Sequence, residues 1–200
     1  MNPLLILGTI VWLYALSVLR RVQLPAYFFI VGSVGLFFIL ITLSDPYWVW
    51  FFTHAVITAI SGLGAVTGMC QVMAQYGIVH IISTNATTLM TIDYECSGII
   101  ETMAFLALIA FFPTYRRRER VFYAVFGIVW IYLDNVLRIS LVVILVHFFG
   151  PGSFFLAHTI IGRLVFYVLV IILYYNVFTY SQMARGLYFK FHPKQRGDTH

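Results

Sequence analysis

Three side chains in this sequence have the types that acyl transfer requires: a thiol at Cys96, a guanidinium at Arg138 and an imidazole at His158. A thiolate is the nucleophilic form of cysteine, and an imidazole near neutral pH can accept the thiol proton. An arginine can hold the negative charge that develops on sulfur or on a tetrahedral oxyanion. Cys96 stands in the stretch Asp93-Tyr94-Glu95-Cys96-Ser97-Gly98-Ile99-Ile100-Glu101. If it opens a helix, the helix dipole favours the thiolate, whereas Asp93, Glu95 and Glu101 oppose it, so a cationic partner is required. Gly98 permits close backbone approach.

Arg138 lies in Asp134-Asn135-Val136-Leu137-Arg138, inside an apolar run of nearly thirty residues. Placing arginine in the middle of a bilayer costs at least about 2.5–3.5 kcal/mol, so the residue should face the protein interior or water. Asn135 shares a helix face with Arg138, and Asp134, four positions before it, could pair with it instead. His158 opens His158-Thr159-Ile160-Ile161-Gly162-Arg163. Each residue also has a plain structural reading: a packed membrane cysteine, an Asp–Arg pair that snorkels to the interface, a polar helix cap.

The elements that must position these groups are membrane helices. The chain has 200 residues, 62% hydrophobic and only 10% charged, whereas a soluble domain is usually about 45–50% apolar. Apolar runs near 4–19, 25–43, 47–67, 97–112, 121–149 and 154–180 approach the roughly 20 residues that cross a hydrocarbon layer as a helix. Closed barrels would show short alternating segments instead. The predicted fold is all-α: a polytopic transmembrane bundle of about six spans, one domain over 1–180 with a basic cytoplasmic tail at 181–200. The first run lacks the basic flank and cleavage site of a signal peptide and is read as a retained helix.

Segment 68–95 differs. It is less apolar, and its β-leaning stretches at 78–83 and 87–94, around Thr84-Asn85-Ala86, predict an extracytoplasmic loop or hairpin. The Asn85-Ala86-Thr87 sequon reads as an ordinary turn outside a glycosylating pathway.

Basic residues at 116–120 and after 180 belong on the cytoplasmic side, which puts Cys96 and the turn at 150–153 on the outer face. Six crossings leave Arg20 and Arg21 outside, against that rule. Five crossings, with 47–67 re-entrant, bring them inside. Cys96 is outer in both schemes. At 1.5 Å per residue Arg138 lies about 27 Å beyond Arg120, at the depth expected for Cys96.

The net charge of +5 reads as topology rather than nucleic-acid binding. No His/Cys cluster has metal-ligand spacing and no glycine-rich phosphate loop occurs, so no metal or cofactor is expected. Cys70 and Cys96 do not make a disulfide framework, although a single bridge would suit a redox protein.

Three elements together resemble the exosortase and archaeosortase family of membrane-embedded cysteine proteases or transpeptidases. They are Cys96-Ser97-Gly98-Ile99, Asn135-x-x-Arg138 followed by Ile139, and His158-x-x-x-Gly162, in the family's order on successive helices across about 60–175. The resemblance implies a plasma-membrane enzyme with Cys96 as nucleophile and Arg138 and His158 as its partners, facing the extracytoplasmic side. It implies substrates exported with a C-terminal signal: a recognition motif, a membrane helix and a basic cluster. This chain is shorter than the family's usual eight-helix members, and Arg163 is an alternative third residue because archaeosortases use arginine there. A different class also fits Asp134, Arg138 and His158, a non-enzymatic transporter or assembly protein with an ion or proton relay.

Overall fold

The computed structural model describes residues 3–45, 47–74, 76–83, 87–92 and 96–180. The expected Thr84-Asn85-Ala86 turn, Asp93, Tyr94 and Glu95, and the tail at 181–200 lie outside the described residues. Six α-helices and a small sheet follow in chain order: α1 Pro3–Arg21, α2 Pro25–Ser44, α3 Tyr47–Thr67, β1 Cys70–Met73, β2 Ile78–Ile82, β3 Thr87–Thr91, α4 Ile99–Phe111, α5 Arg117–Phe149 and α6 Gly162–Tyr174. Wide turns at Leu156–Ile161 and Tyr175–Tyr180 extend α6 at both ends.

Four helical segments are long and apolar enough to cross a membrane, namely Pro25–Ser44, Tyr47–Thr67, Arg117–Phe149 and Pro151–Thr179. Large apolar side chains such as Phe38, Phe51, Leu133, Leu164 and Ile171 are exposed along them, as a lipid-facing surface requires. The chain is a helical membrane protein. α4 is shorter, at 13 residues, about 20 Å of rise. Its limits are local: Gly98 has φ 73°, outside the right-handed helix, and Phe112 precedes Pro113 and is held extended.

Antiparallel packing fixes the direction of most helices. Along α4 and α5, Gly98 meets Ile131 and Asn135, Phe105 meets Gly127, and Arg120 reaches the Phe112 carbonyl. Along α2 and α4, the Phe29 and Phe112 rings lie 6.1 Å apart, and Phe37, Leu40 and Ile41 pack on Ile99 and Met103. α1 turns back on α2, where Trp12 donates to the Val31 carbonyl at 2.9 Å. The turn carrying Arg20 and Arg21 is therefore at the same end of the bundle as Arg116, Arg117 and Arg118.

α3 does not run back across the bundle. Its first turns pack with Ile99 and Met103, Ala55 accepts from the Tyr132 hydroxyl at 3.2 Å, and Val56, Ile57 and Ile60 join Ile139, Val142, Val143 and Val146. α3 thus advances along α5 in the direction of α5, which is also the direction of α2. Tyr47–Thr67 is one continuous helix of 21 residues, long and apolar enough to cross a membrane. α5 has 33 residues, about 50 Å against a hydrocarbon core of about 30 Å. Its last turns stand beside the sheet, where His147 is bonded to Ser83 and Ile82.

The sheet is antiparallel in the order β1-β2-β3. Its packing explains its place: Val79, Ile81 and Met90 are buried against α3 and α5. Gly64 of α3 leaves room for the Cys70 carbonyl, which would stand 2.4 Å from a Cβ at that position.

Candidate active site

Cys96 is 8% exposed and lies in the tight turn that leads into α4. Gly98 adopts the left-handed conformation that turns the chain into the helix, which a side chain would make costly. Thr102 returns its hydroxyl to the Gly98 carbonyl at 2.8 Å, closing the first turn. The Cys96 carbonyl accepts from Asn135 Nδ2 at 2.6 Å, so α5 holds the nucleophile's backbone directly.

Arg138, three residues on and on the same face of α5, donates from Nη2 to Cys96 Sγ at 3.4 Å. Its carbon Cζ lies 5.6 Å from the centre of the Phe166 ring, a cation–π contact of a kind that strengthens when desolvated. Arg138 and Asn135 are 5% and 0% exposed. Among the described residues, the alternative Asp134–Arg138 pair that the spacing allowed does not form. The Asp134 carboxyl interacts with Trp130, a turn earlier, and its Oδ2 has no hydrogen-bond partner. Asp134 and Asn135, four and three positions before Arg138, both lie within its reach on the helix, and it is the contacts of α4 that draw Asn135 and Arg138 to Cys96.

His158 sits in the wide turn Leu156–Ile161, a geometry that recurs at functional sites. Its ring stacks on Phe154, centroids 5.4 Å apart and planes at 11°. It is half-buried, within electrostatic reach of Arg138 and Arg163. Among the described residues no hydrogen bond joins it to Cys96, and its Nδ1 is buried without a partner. Arg163 is exposed. The structure thus brings Cys96, Asn135 and Arg138 into contact and sets His158 within electrostatic reach of Arg138.

Gly162 determines how near α6 approaches. A Cβ there would stand 3.0 Å from the Ala157 carbonyl oxygen, 3.1 Å from Val142 Cγ2 and 3.4 Å from Arg138 Cγ. Phe166 was not foreseen as a site residue. Its signal was the four-residue spacing His158, Gly162, Phe166, one helix face directed at α5. Half-buried Glu101, on α4, interacts electrostatically with Arg138.

Both cysteines are free and buried. Cys70 Sγ is directed to the Ile60 carbonyl at 3.9 Å, and burial pushes its thiol pKa up. The described residues contain no group of three His, Cys, Asp or Glu side chains able to hold a metal ion. Within the buried cluster, Asn135 Oδ1 and Arg138 Nε also have no hydrogen-bond partner among the described residues. Buried polar atoms are nearly always bonded, so convergent exceptions are sites where a ligand's groups can complete the network.

A family model for the transmembrane exosortases matches residues 1–175. Neither a curated protein nor a solved structure matches the chain.

Proposed function

The chain belongs to the transmembrane exosortase family, and on that premise we propose that it is a cysteine peptidase or transpeptidase that cuts C-terminal sorting signals of exported proteins through Cys96. The observation that carries this reading is the 3.4 Å contact from a buried guanidinium to a buried sulfur. A pairing of this kind, deep in a bundle where arginine is costly, supports a role for the charge at the sulfur.

In the proposed reaction His158 takes the Cys96 proton and the sulfur adds to a substrate backbone carbonyl. Arg138 stabilises negative charge first on sulfur and then on the oxyanion. Collapse of the tetrahedral adduct breaks the C–N bond, and the leaving amine receives the proton from His158. The resulting thioester passes its acyl group to water or to an acceptor amine or hydroxyl, which restores the thiol. No hydrogen bond joins His158 to Sγ among the described residues. Catalytic hydrogen bonds commonly tighten only when substrate is bound. Its half-buried ring, with an unpartnered Nδ1 beside Arg138, supports it over exposed Arg163 as the third residue.

Basic residues mark the cytoplasmic side of membrane proteins. Arg20, Arg21, Arg116, Arg117 and Arg118 share one end of the bundle, which supports placing the Cys96 end on the outer face of the plasma membrane. A substrate helix would pack sideways against the bundle in the lipid, with its basic cluster inside.

The test is co-expression of Cys96→Ala, Arg138→Ala and His158→Ala variants with a tagged membrane protein bearing such a signal. Loss of processing in all three is expected. Full processing by Cys96→Ala would end the nucleophile assignment, and loss in Asp134→Asn and His158→Ala alone would favour a proton relay.

A further inference from the structure

The two edges of the sheet are not alike. β1 is covered: α3 packs along it, and Gly64 and Ile60 lie against Cys70. β3 packs on β2 and is the last strand of the sheet. The register shows which of its backbone groups point away from β2 and, among the described residues, have no ladder partner. Ile92 N–H donates to the Gly77 carbonyl at 2.9 Å, and Thr91 is opposite Ile78, Met90 opposite Val79 and Leu89 opposite His80. In an antiparallel ladder the bonded residues alternate. Ile92, Met90 and Thr88 therefore turn their N–H and C=O toward β2, while Thr91, Leu89 and Thr87 turn theirs outward. On the other side of β2, Ile82 N–H donates to the Met69 carbonyl at 2.9 Å, which is the complementary alternation.

The outward residues Thr87, Leu89 and Thr91 are all exposed. Unpaired strand edges are templates for another strand, and natural proteins normally cover or charge them. This edge carries no charged residue among Thr87–Thr91. It also leads to the candidate nucleophile: Cys96 follows Thr91 by five positions. β3 starts beside Ile82, next to which His147 near the far end of α5 is bonded, and ends beside Gly77, which packs near Ile57 at the level of the site. β3 therefore runs from outside toward Cys96.

We propose that the segment preceding the scissile bond of the substrate adds to β3 as a fourth strand, held by the outward backbone groups of Leu89 and Thr91, so that the carbonyl to be attacked arrives at Cys96 Sγ. This rests on the peptidase reading. A substrate whose membrane helix lies after the scissile bond enters the site in the direction of β3, so the added strand is parallel to it. Strand addition gives affinity through the main chain and tolerates varied side chains, which suits one enzyme acting on several exported proteins that share a short motif.

Proline at an outward position removes an edge donor without breaking the ladder to β2. Leu89→Pro and Leu89→Ala, each with Cys96 intact, are compared with wild type for processing of the tagged substrate in membranes. The expected result is a loss of at least about fivefold in Leu89→Pro, as one lost backbone bond implies, with little change in Leu89→Ala. Wild-type processing by Leu89→Pro overturns strand addition, as does an equal loss in both variants, which would mark a side-chain contact.

A second measurement does not depend on the folding of the proline variant. In a Cys70→Ala, Cys96→Ala background, cysteines at Thr87, Leu89 or Thr91 are oxidised against single cysteines scanned through the substrate. Cross-links with a two-residue period are expected, with Thr87 capturing positions further from the substrate helix than Thr91 captures. Reversed order overturns the parallel arrangement. No cross-links, or cross-links only between two copies of this chain, overturn the assignment of the edge to substrate. Processing by Cys96→Ala, by contrast, overturns the peptidase reading itself.

Discussion

Asn135 holds the backbone of Cys96 through a 2.6 Å hydrogen bond from its side-chain amide to the cysteine carbonyl, so one helix supplies both the anchor of the nucleophile and, three residues later, the guanidinium at its sulfur. Asn135→Ala leaves that buried carbonyl without its donor, at a cost of about 1–3 kcal/mol. The expected outcome is a lower melting temperature in detergent together with a processing loss larger than the destabilisation explains. Asn135→Gln, which keeps the donor on a longer arm, should recover part of the stability and little of the activity.

Arg138→Lys keeps the charge and discards the planar fork. Lysine is a point charge with rotatable donors and cannot both reach the sulfur and lie flat over Phe166 in the same way. Processing should fall by at least about tenfold, one lost charge-assisted contact by the usual scale. The rate of Cys96 alkylation by a small neutral reagent should change as well. Phe166→Leu tests the platform separately: a fold close to wild type is expected with a smaller loss of processing.

Gly162→Ala introduces a methyl into contacts of 3.0 and 3.1 Å with the Ala157 carbonyl and Val142, and 3.4 Å with the Arg138 stem. Helix α6 must move away or Arg138 must shift. Overpacking of this size costs about 1–3 kcal/mol, and processing should fall even where the protein accumulates normally. Thermal unfolding alongside the processing assay checks both.

Cys70 is expected to be chemically silent. Burial pushes its thiol pKa up, so the neutral form persists further into alkaline pH and the reactive form is scarcer at neutral pH than for an ordinary thiol. Cys70→Ala should process substrate at the wild-type rate and show the same mobility with and without reductant. Processing that requires Cys70, or a reducible bridge to Cys96, would favour a redox protein.

The helices and the shared face of Asn135 and Arg138 were legible from the sequence because both rest on short-range rules. Apolar run length sets the helices, and a three-residue spacing puts Asn135 and Arg138 on one face. The choice between Asp134 and Cys96 as Arg138's partner was not legible, since four-residue spacing makes the Asp–Arg pair equally available until α4 is placed. The direction of α3 was likewise hidden: composition does not say which way a helix runs, and it is the packing of Val56, Ile57 and Ile60 in one cluster with the far half of α5 that shows it. β2 and β3 matched the β-leaning stretches at 78–83 and 87–94. β1 was missed because Cys70–Met73 has little strand pattern of its own and depends on Gly64 of α3 for its place. The wide turn around His158 leaves no mark in the composition.

The most direct measurement is mass spectrometry of the purified enzyme after brief exposure to substrate in lipid, followed by acid quench and proteolysis. The account predicts the substrate's N-terminal fragment joined to the peptide containing Cys96 as a thioester that hydroxylamine releases, reduced in His158→Ala and missing in Cys96→Ala. Cleavage of substrate at the wild-type rate by Cys96→Ala, with no adduct on Cys96 in the wild-type protein, would contradict it.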